Sequence, residues 1–281
     1  MDTQTSAKAA AFFDLDGTLI PGSANIPLAK AAFRQGFMSK RELATDLRNG
    51  ISFLLSGATD ERSAQVRDRI LQAVAGHPAS DVEALGDYFM DDVVNSVRPV
   101  MKQVLADHQK AGRDRIVLSA SPTETVSRFA NELGLELGVG TTSERDDQGR
   151  YTGRLAGPFC YREGKVEVMN QLAEDYDYDL AASYAYSDSV SDLPMMEAVG
   201  HPVAVNPEPE LRELAHQRGW PIVETSRIPR VKLSSPRGLA ALTRNSVRYG
   251  MDSIRGRASQ PDSDGVAHSV NGAAVSTGSS A

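Results

Sequence analysis

The sequence predicts an α/β protein: a doubly wound parallel sheet with an all-helical cap inserted after its first strand. Three observations carry this. A short apolar run, Ala10-Ala11-Phe12-Phe13, ends on two carboxylates, Asp14 and Asp16, with Gly17 and Pro21-Gly22 behind them, as a buried parallel strand would. Residues 22 to about 97 carry helical patterning with no strand-like run. From Pro99 to Val223, strand and helix patterns alternate, the signature of a parallel sheet with helices on both faces.

Within the insertion, Asn25 is placed to cap a helix running to about Phe37, and Ser39 with Glu42 forms a capping box for a second, ending near Leu55 and stopped by Gly57. Asp60 opens a third to about Ala75, closed by Gly76-His77-Pro78, and Ser80 with Glu83 opens a fourth. A crossover needs one helix, so four define a separate lobe. Then come a helix over Val100–Lys110, a strand at Arg115–Ser119 and a helix from Pro122 to Leu133. Asp147-Gln148-Gly149-Arg150 centres a β-hairpin over Thr141–Leu155. A helix from about Gly164 to Tyr176, strands at Ser183–Tyr186 and Pro202–Val205, a short helix over Met195–Val199, a helix over Glu208–Arg218 and the segment Trp220–Val223 complete the series. The expected domains are a core over 8–21 and 98–226, a helical cap over 22–97, a basic extension over 227–257 and a disordered tail over 258–281.

The chain has 281 residues and a net charge of −7, which conceals an asymmetry: residues 227–257 carry eight Arg and Lys against Asp252, and the tail carries Asp262 and Asp264, leaving −12 on residues 1–226. In the basic segment Leu239, Leu242, Val247, Met251 and Ile254 recur at helical spacing. An amphipathic basic helix suits docking on this protein's own acidic body, the favoured reading, or weak contact with an anionic membrane. The single Cys160 excludes a disulfide framework and a cysteine-based zinc site, and a packed thiol is expected there. No apolar window spans a membrane and no signal peptide is visible, so a cytoplasmic protein is expected. None of the five histidines has a partner at metal-ligand spacing. No nucleic-acid partner is indicated.

Asp14 and Asp16 sit where α/β proteins bind ligands, at the carboxyl end of a strand. So close a pair repels, and a divalent cation or a shared proton relieves it; an Asp-rich turn reads the same residues without function. Ser119 ends the next strand, and Ser121-Pro122-Thr123-Glu124 follows, either an anion site at a helix N-terminus or ordinary capping. Lys165 in a first helical turn opposes the helix dipole unless an anion lies before it; a surface lysine is the alternative. Asp188 and Asp192 flank a serine-rich loop after Tyr184-Ala185-Tyr186.

The order Asp14-Leu15-Asp16-Gly17-Thr18, strand-Ser119, Gly164-Lys165 and Asp188-x-x-x-Asp192 resembles the four motifs of the haloacid dehalogenase-like superfamily, over residues 9 to about 223. The insertion and the wording Ser187-Asp188-Ser189-Val190-Ser191-Asp192-Leu193-Pro194 resemble its subfamily IB hydrolases, which include phosphoserine phosphatases. The resemblance implies a Rossmann-like core and a Mg²⁺-dependent phosphatase acting on a small phosphorylated metabolite. Asp14 would be the nucleophile, Asp16 the general acid and base, and Thr18 would hold Asp16. Ser119, the Ala120 amide and Lys165 would hold the phosphate. Asp14, the Asp16 carbonyl and Asp188 would bind Mg²⁺, with Asp192 orienting Lys165 or water.

Two departures bear on substrate. Gly17 stands where phosphoserine phosphatases carry serine, and Ser23 stands where they carry a glutamate that meets the substrate ammonium. Arg34, Arg41 and Arg48 could receive a substrate anion, or be solvated. A phosphatase of lipids or larger substrates, or a non-catalytic phospho-accepting regulatory domain, are the rival readings.

Overall fold

The computed structural model describes residues 8–37, 39 and 60–225. Strand β1 (Ala10–Asp14) leads into the inserted helices α1 (Asn25–Arg34), α2 (Asp60–Val74), α3 (Ala79–Glu83), a 3-10 turn over Ala84–Tyr88, and α4 (Met90–Asn95). The alternation then runs α5 (Pro99–Lys110), β2 (Asp114–Pro122), α6 (Thr123–Glu132), β3 (Leu137–Thr141), and the hairpin strands β4 (Ser143–Arg145) and β5 (Tyr151–Leu155). It closes with α7 (Glu163–Tyr176), β6 (Tyr184–Ser187), α8 (Leu193–Glu197), β7 (His201–Val205), α9 (Pro209–Arg218) and β8 (Ile222–Val223).

Six strands form a parallel sheet in the order β3-β2-β1-β6-β7-β8. The order reverses between β1 and β6, and the crevice at that switch point receives Asp14 from one strand and the Ser187-Asp188 turn from the other. All five residues of β1 are buried. Alternate side chains feed opposite cores: Ala11 and Phe13 join Val117, Phe129 and Leu85, whereas Ala10 and Phe12 join Ile116, Met169 and Met195. Each buried phenylalanine contributes roughly 1.5–3 kcal/mol. From the insertion, Val82, Leu85, Phe89, Met90 and Val93 share the first of these cores with the sheet.

Several elements differ from expectation. Asn25 begins α1 without capping it. The helix expected from Ser80 breaks after Glu83 and resumes at Met90, and Glu83 bonds Arg145 of the hairpin at 2.8 Å instead of closing a capping box. Ser121 is strand, not helix cap: β2 runs on to Pro122 through a register shift between Leu118 and Pro122, and α6 has no side-chain cap. Glu124 bonds Tyr151 and Arg145. Strand β3 has no counterpart in the sequence reading because Gly138 and Gly140 interrupt its apolar pattern. Both are needed for close packing: a Cβ would stand 2.3 Å from the Val126 carbonyl oxygen at Gly138, and 2.4 Å from that of Ser121 at Gly140. The expected helix from Ser39 to Leu55, with Arg41 and Arg48, lies outside the described residues apart from Ser39 itself, as do the basic extension and the tail.

Candidate active site

Strand β1 delivers Asp14 to the switch point with 8% exposure. Burial raises the Asp14 pKa well above the usual carboxylate range, with Asp192 and Asp188 adding to the rise and Lys165 opposing it. Lys165, third residue of α7, is buried. Its Nζ donates to Asp14 Oδ1 at 2.7 Å and to Asp192 Oδ2 at 2.9 Å. Burial works to lower the Lys165 pKa, but Asp14 and Asp192 overcome it and leave it raised. The surface-lysine alternative is thereby removed. Asp192 also accepts from Ser187 Oγ at 2.7 Å.

Asp16 turns toward the linker that enters the insertion. Its Oδ1 accepts from the Ala24 N–H and its Oδ2 from Ser23 Oγ, both at 2.9 Å, with Ser121 Oγ at 3.4 Å. Burial raises its pKa while these three donors pull it down. Thr18 does not hold Asp16, contrary to expectation; its hydroxyl donates to Asp188 Oδ1 at 3.0 Å. Burial, assisted by Asp192 and Glu208 and opposed by Thr18, raises Asp188 to about 7. Gly17 has φ +83°, and a Cβ there would stand 2.2 Å from Asp188 Oδ2, so glycine is required both by conformation and by the packed carboxylate.

Ser119 is buried at the end of β2, and its Oγ accepts from the Ser121 N–H at 3.1 Å. This segment spans the register shift of the β2–β3 ladder between Leu118 and Pro122. Cys160 is a buried free thiol, pushed up to about 12 by burial, as expected of a packed side chain. His108 is likewise a core residue, bonded to Tyr186 Oη at 2.8 Å.

These acids at the carboxyl ends of β1 and β6, with Lys165 between them, stand on elements in the order that the four motifs require. A model described as haloacid dehalogenase-like hydrolase matches residues 11–197. The chain belongs to the haloacid dehalogenase-like hydrolases. A probable phosphatase of Mycobacterium tuberculosis is 36% identical over 90% of this chain and 88% of its own length. A protein of the same organism named phosphoserine phosphatase is 33% identical over 76% of this chain and 70% of its own. A solved structure from Bordetella pertussis, described as a protein with unknown function, superposes with a TM-score of 0.66 at 33% identity, covering 77% of this chain and 98% of that one. The chain is thus an enzyme, a hydrolase of the phosphatase type in this family.

Sequence reasoning missed Ser23 and Ser121 as partners of Asp16, and Arg98, whose guanidinium reaches the Gly17 carbonyl at 3.0 Å. Ser23 carried a signal, standing where a substrate contact was sought, but nothing in the sequence shows that its hydroxyl faces inward. Among the described residues, no helix is long and apolar enough to cross a membrane.

Proposed function

We propose that this haloacid dehalogenase-like phosphatase hydrolyses a small phosphate monoester through an aspartyl-phosphate on Asp14. The observation that carries the reading is the buried Asp14–Lys165–Asp192 arrangement at the switch point of the sheet. Lys165 donates to Asp14 Oδ1 and opposes the effect of burial on this acid, and Oδ2 is assigned to attack phosphorus. As the Asp14–phosphorus bond forms, the ester P–O bond breaks and the leaving alkoxide takes a proton from Asp16. Burial favours the protonated Asp16 that this step needs. Asp16 then accepts a proton from water, which attacks phosphorus and releases phosphate from Asp14. Ser119, the Ala120 amide and Lys165 are assigned to the phosphate oxygens.

The donors at this site suit a hard divalent cation. They are all oxygens, and burial, with Asp192 and Glu208 adding to it, raises Asp188 to about 7, a cost that a cation would relieve. Among the described residues no three Asp, Glu, His or Cys side chains converge as a ligand set, and a main-chain oxygen is assigned as the third protein ligand. Asp14, Asp188 and the Asp16 carbonyl would hold Mg²⁺, which when bound would offset the negative charge of nucleophile and phosphate.

The substrate assigned is a small phosphorylated metabolite other than an amino-acid phosphate. A relative is named phosphoserine phosphatase, but here Ser23 spends its hydroxyl on Asp16, and a substrate ammonium would find no acid at that place. Turnover of p-nitrophenyl phosphate with Mg²⁺, lost on chelation, is the expected result. No turnover of any aryl or alkyl phosphate would exclude the reading and leave a phospho-accepting regulatory domain in its place.

A further inference from the structure

Arg98 stands where the inserted helices return to the sheet, one residue before α5. Its main-chain N–H donates to the Leu19 carbonyl at 2.9 Å, its Nη2 to the Gly17 carbonyl at 3.0 Å and its Nη1 to Thr225 Oγ1 at 2.9 Å. One residue therefore grips two carbonyls of the turn that follows Asp16, and joins the linker leaving the sheet to the linker that returns. On the other side of the turn, Thr18 bonds Asp188 and Gly17 packs on its carboxylate. The guanidinium is itself braced: Thr225 Oγ1 also accepts from Asn206 Nδ2 at 2.6 Å, and the Thr225 N–H donates to Asn206 Oδ1 at 2.7 Å.

This arrangement is costly. Burial lowers the Arg98 pKa, with Asp188 opposing, and Nε is buried with no hydrogen-bond partner among the described residues. Arginine stays charged all the same, and a position kept for packing alone is filled as well or better by an apolar side chain.

We infer that Arg98 is a positioning residue: by holding the Gly17 carbonyl it fixes the turn that keeps Thr18 on Asp188 and carries Asp16, and it ties that turn to the return linker of the insertion. The inference rests on the phosphatase mechanism proposed above for its catalytic consequence, but not for its structural one.

The test combines amide hydrogen exchange with kinetics on the full chain. In Arg98→Met, the amides of residues 15–20 should exchange at least about tenfold faster while those of β1 keep their rates. With an alkyl phosphate, kcat should fall by about 10- to 100-fold and KM should stay within about threefold, as misplacement of reacting groups requires. Arg98→Lys, whose ammonium still carries charge and donors, should recover part of both effects; no recovery at all would mean that charge and donors are not what residue 98 supplies. Arg98→Met and Thr18→Val should combine less than multiplicatively in kcat, since both act through the Thr18–Asp188 bond. Unchanged exchange over 15–20, a loss confined to KM, or multiplicative effects would each overturn the inference. Should Arg98→Met not fold, Arg98→Lys carries the same exchange test, with a smaller acceleration expected and an unchanged rate counting against it. The exchange result stands whether or not the chain turns over a phosphate ester, so failure of the mechanism and failure of this inference are read separately.

Discussion

Replacing Lys165 with methionine removes the cation between two buried carboxylates while keeping most of the side chain's length. The Lys165 side chain is 3% exposed and its Nζ lies 2.7 Å from Asp14 and 2.8 Å from Asp192, so solvent cannot compensate for its loss. Breaking a buried pair by removing one partner costs about 3–5 kcal/mol. Against a total stability of about 5–15 kcal/mol, that is a large fraction, and at about 2–4 °C per kcal/mol for a domain of this size it lowers Tm by about 6–20 °C. The stranded acids can escape by taking up a proton, so the deficit should shrink as pH falls from 7 toward 5. Asp192→Asn added to Lys165→Met should restore part of the stability by removing one of the two charges. Denaturant unfolding in chelator at pH 7 and pH 5 measures all three proteins. A Lys165→Met chain within about 1 kcal/mol of the wild type at pH 7 would show that the pair is not the buried, mutually dependent unit described. The same variant should lose about 10²- to 10³-fold in kcat as a phosphate-oxygen donor disappears.

Asp16→Asn should lose about 10²- to 10⁴-fold in phosphorylation by an alkyl ester but much less with p-nitrophenyl phosphate, whose leaving group needs no proton; single-turnover kinetics on both esters checks it. His108 is held at about 4, below its usual 6.5, first by burial, so between those values the unfolded chain binds the extra proton. Its contribution, up to roughly 3 kcal/mol, is complete above pH 6.5 and is lost as pH falls toward 4. Unfolding of wild type and His108→Gln across that window should show a flatter slope in the variant. For substrate, kcat/KM for phosphoserine should fall below that for glycerol phosphate in steady-state assays, and a clear preference for phosphoserine would mean that another residue meets the ammonium.

The architecture was legible because its signals are periodic. Ala10–Asp14 reads as a buried strand from its apolar run alone, and alternation after Pro99 leaves few topologies to consider. Strand β3 was hidden because its glycines are set by contact with α6 and with Ser121, which are distant in chain order. The charged residues of the candidate site were legible as to position, since Asp14, Lys165, Asp188 and Asp192 are each fixed by a strand end or a first helical turn. Their partners were not: Thr18 lies two residues from Asp16 in sequence, yet φ +83° at Gly17 turns it toward Asp188. Ser121 and Arg98 reach the site across the fold, Ser23 reaches it from the adjoining linker, and no local pattern records where a side chain ends.

The central claim is that Asp14 carries the phosphoryl group, and rapid-quench labelling tests it most directly. With a radiolabelled aryl phosphate and Mg²⁺, Asp16→Asn should release nitrophenol in a burst and then turn over slowly, because loss of the base slows hydrolysis of the intermediate. The label should appear on the peptide that contains residues 10–20 and should vanish in Asp14→Asn. Label on another peptide, or an undiminished burst from Asp14→Asn, would contradict the assignment.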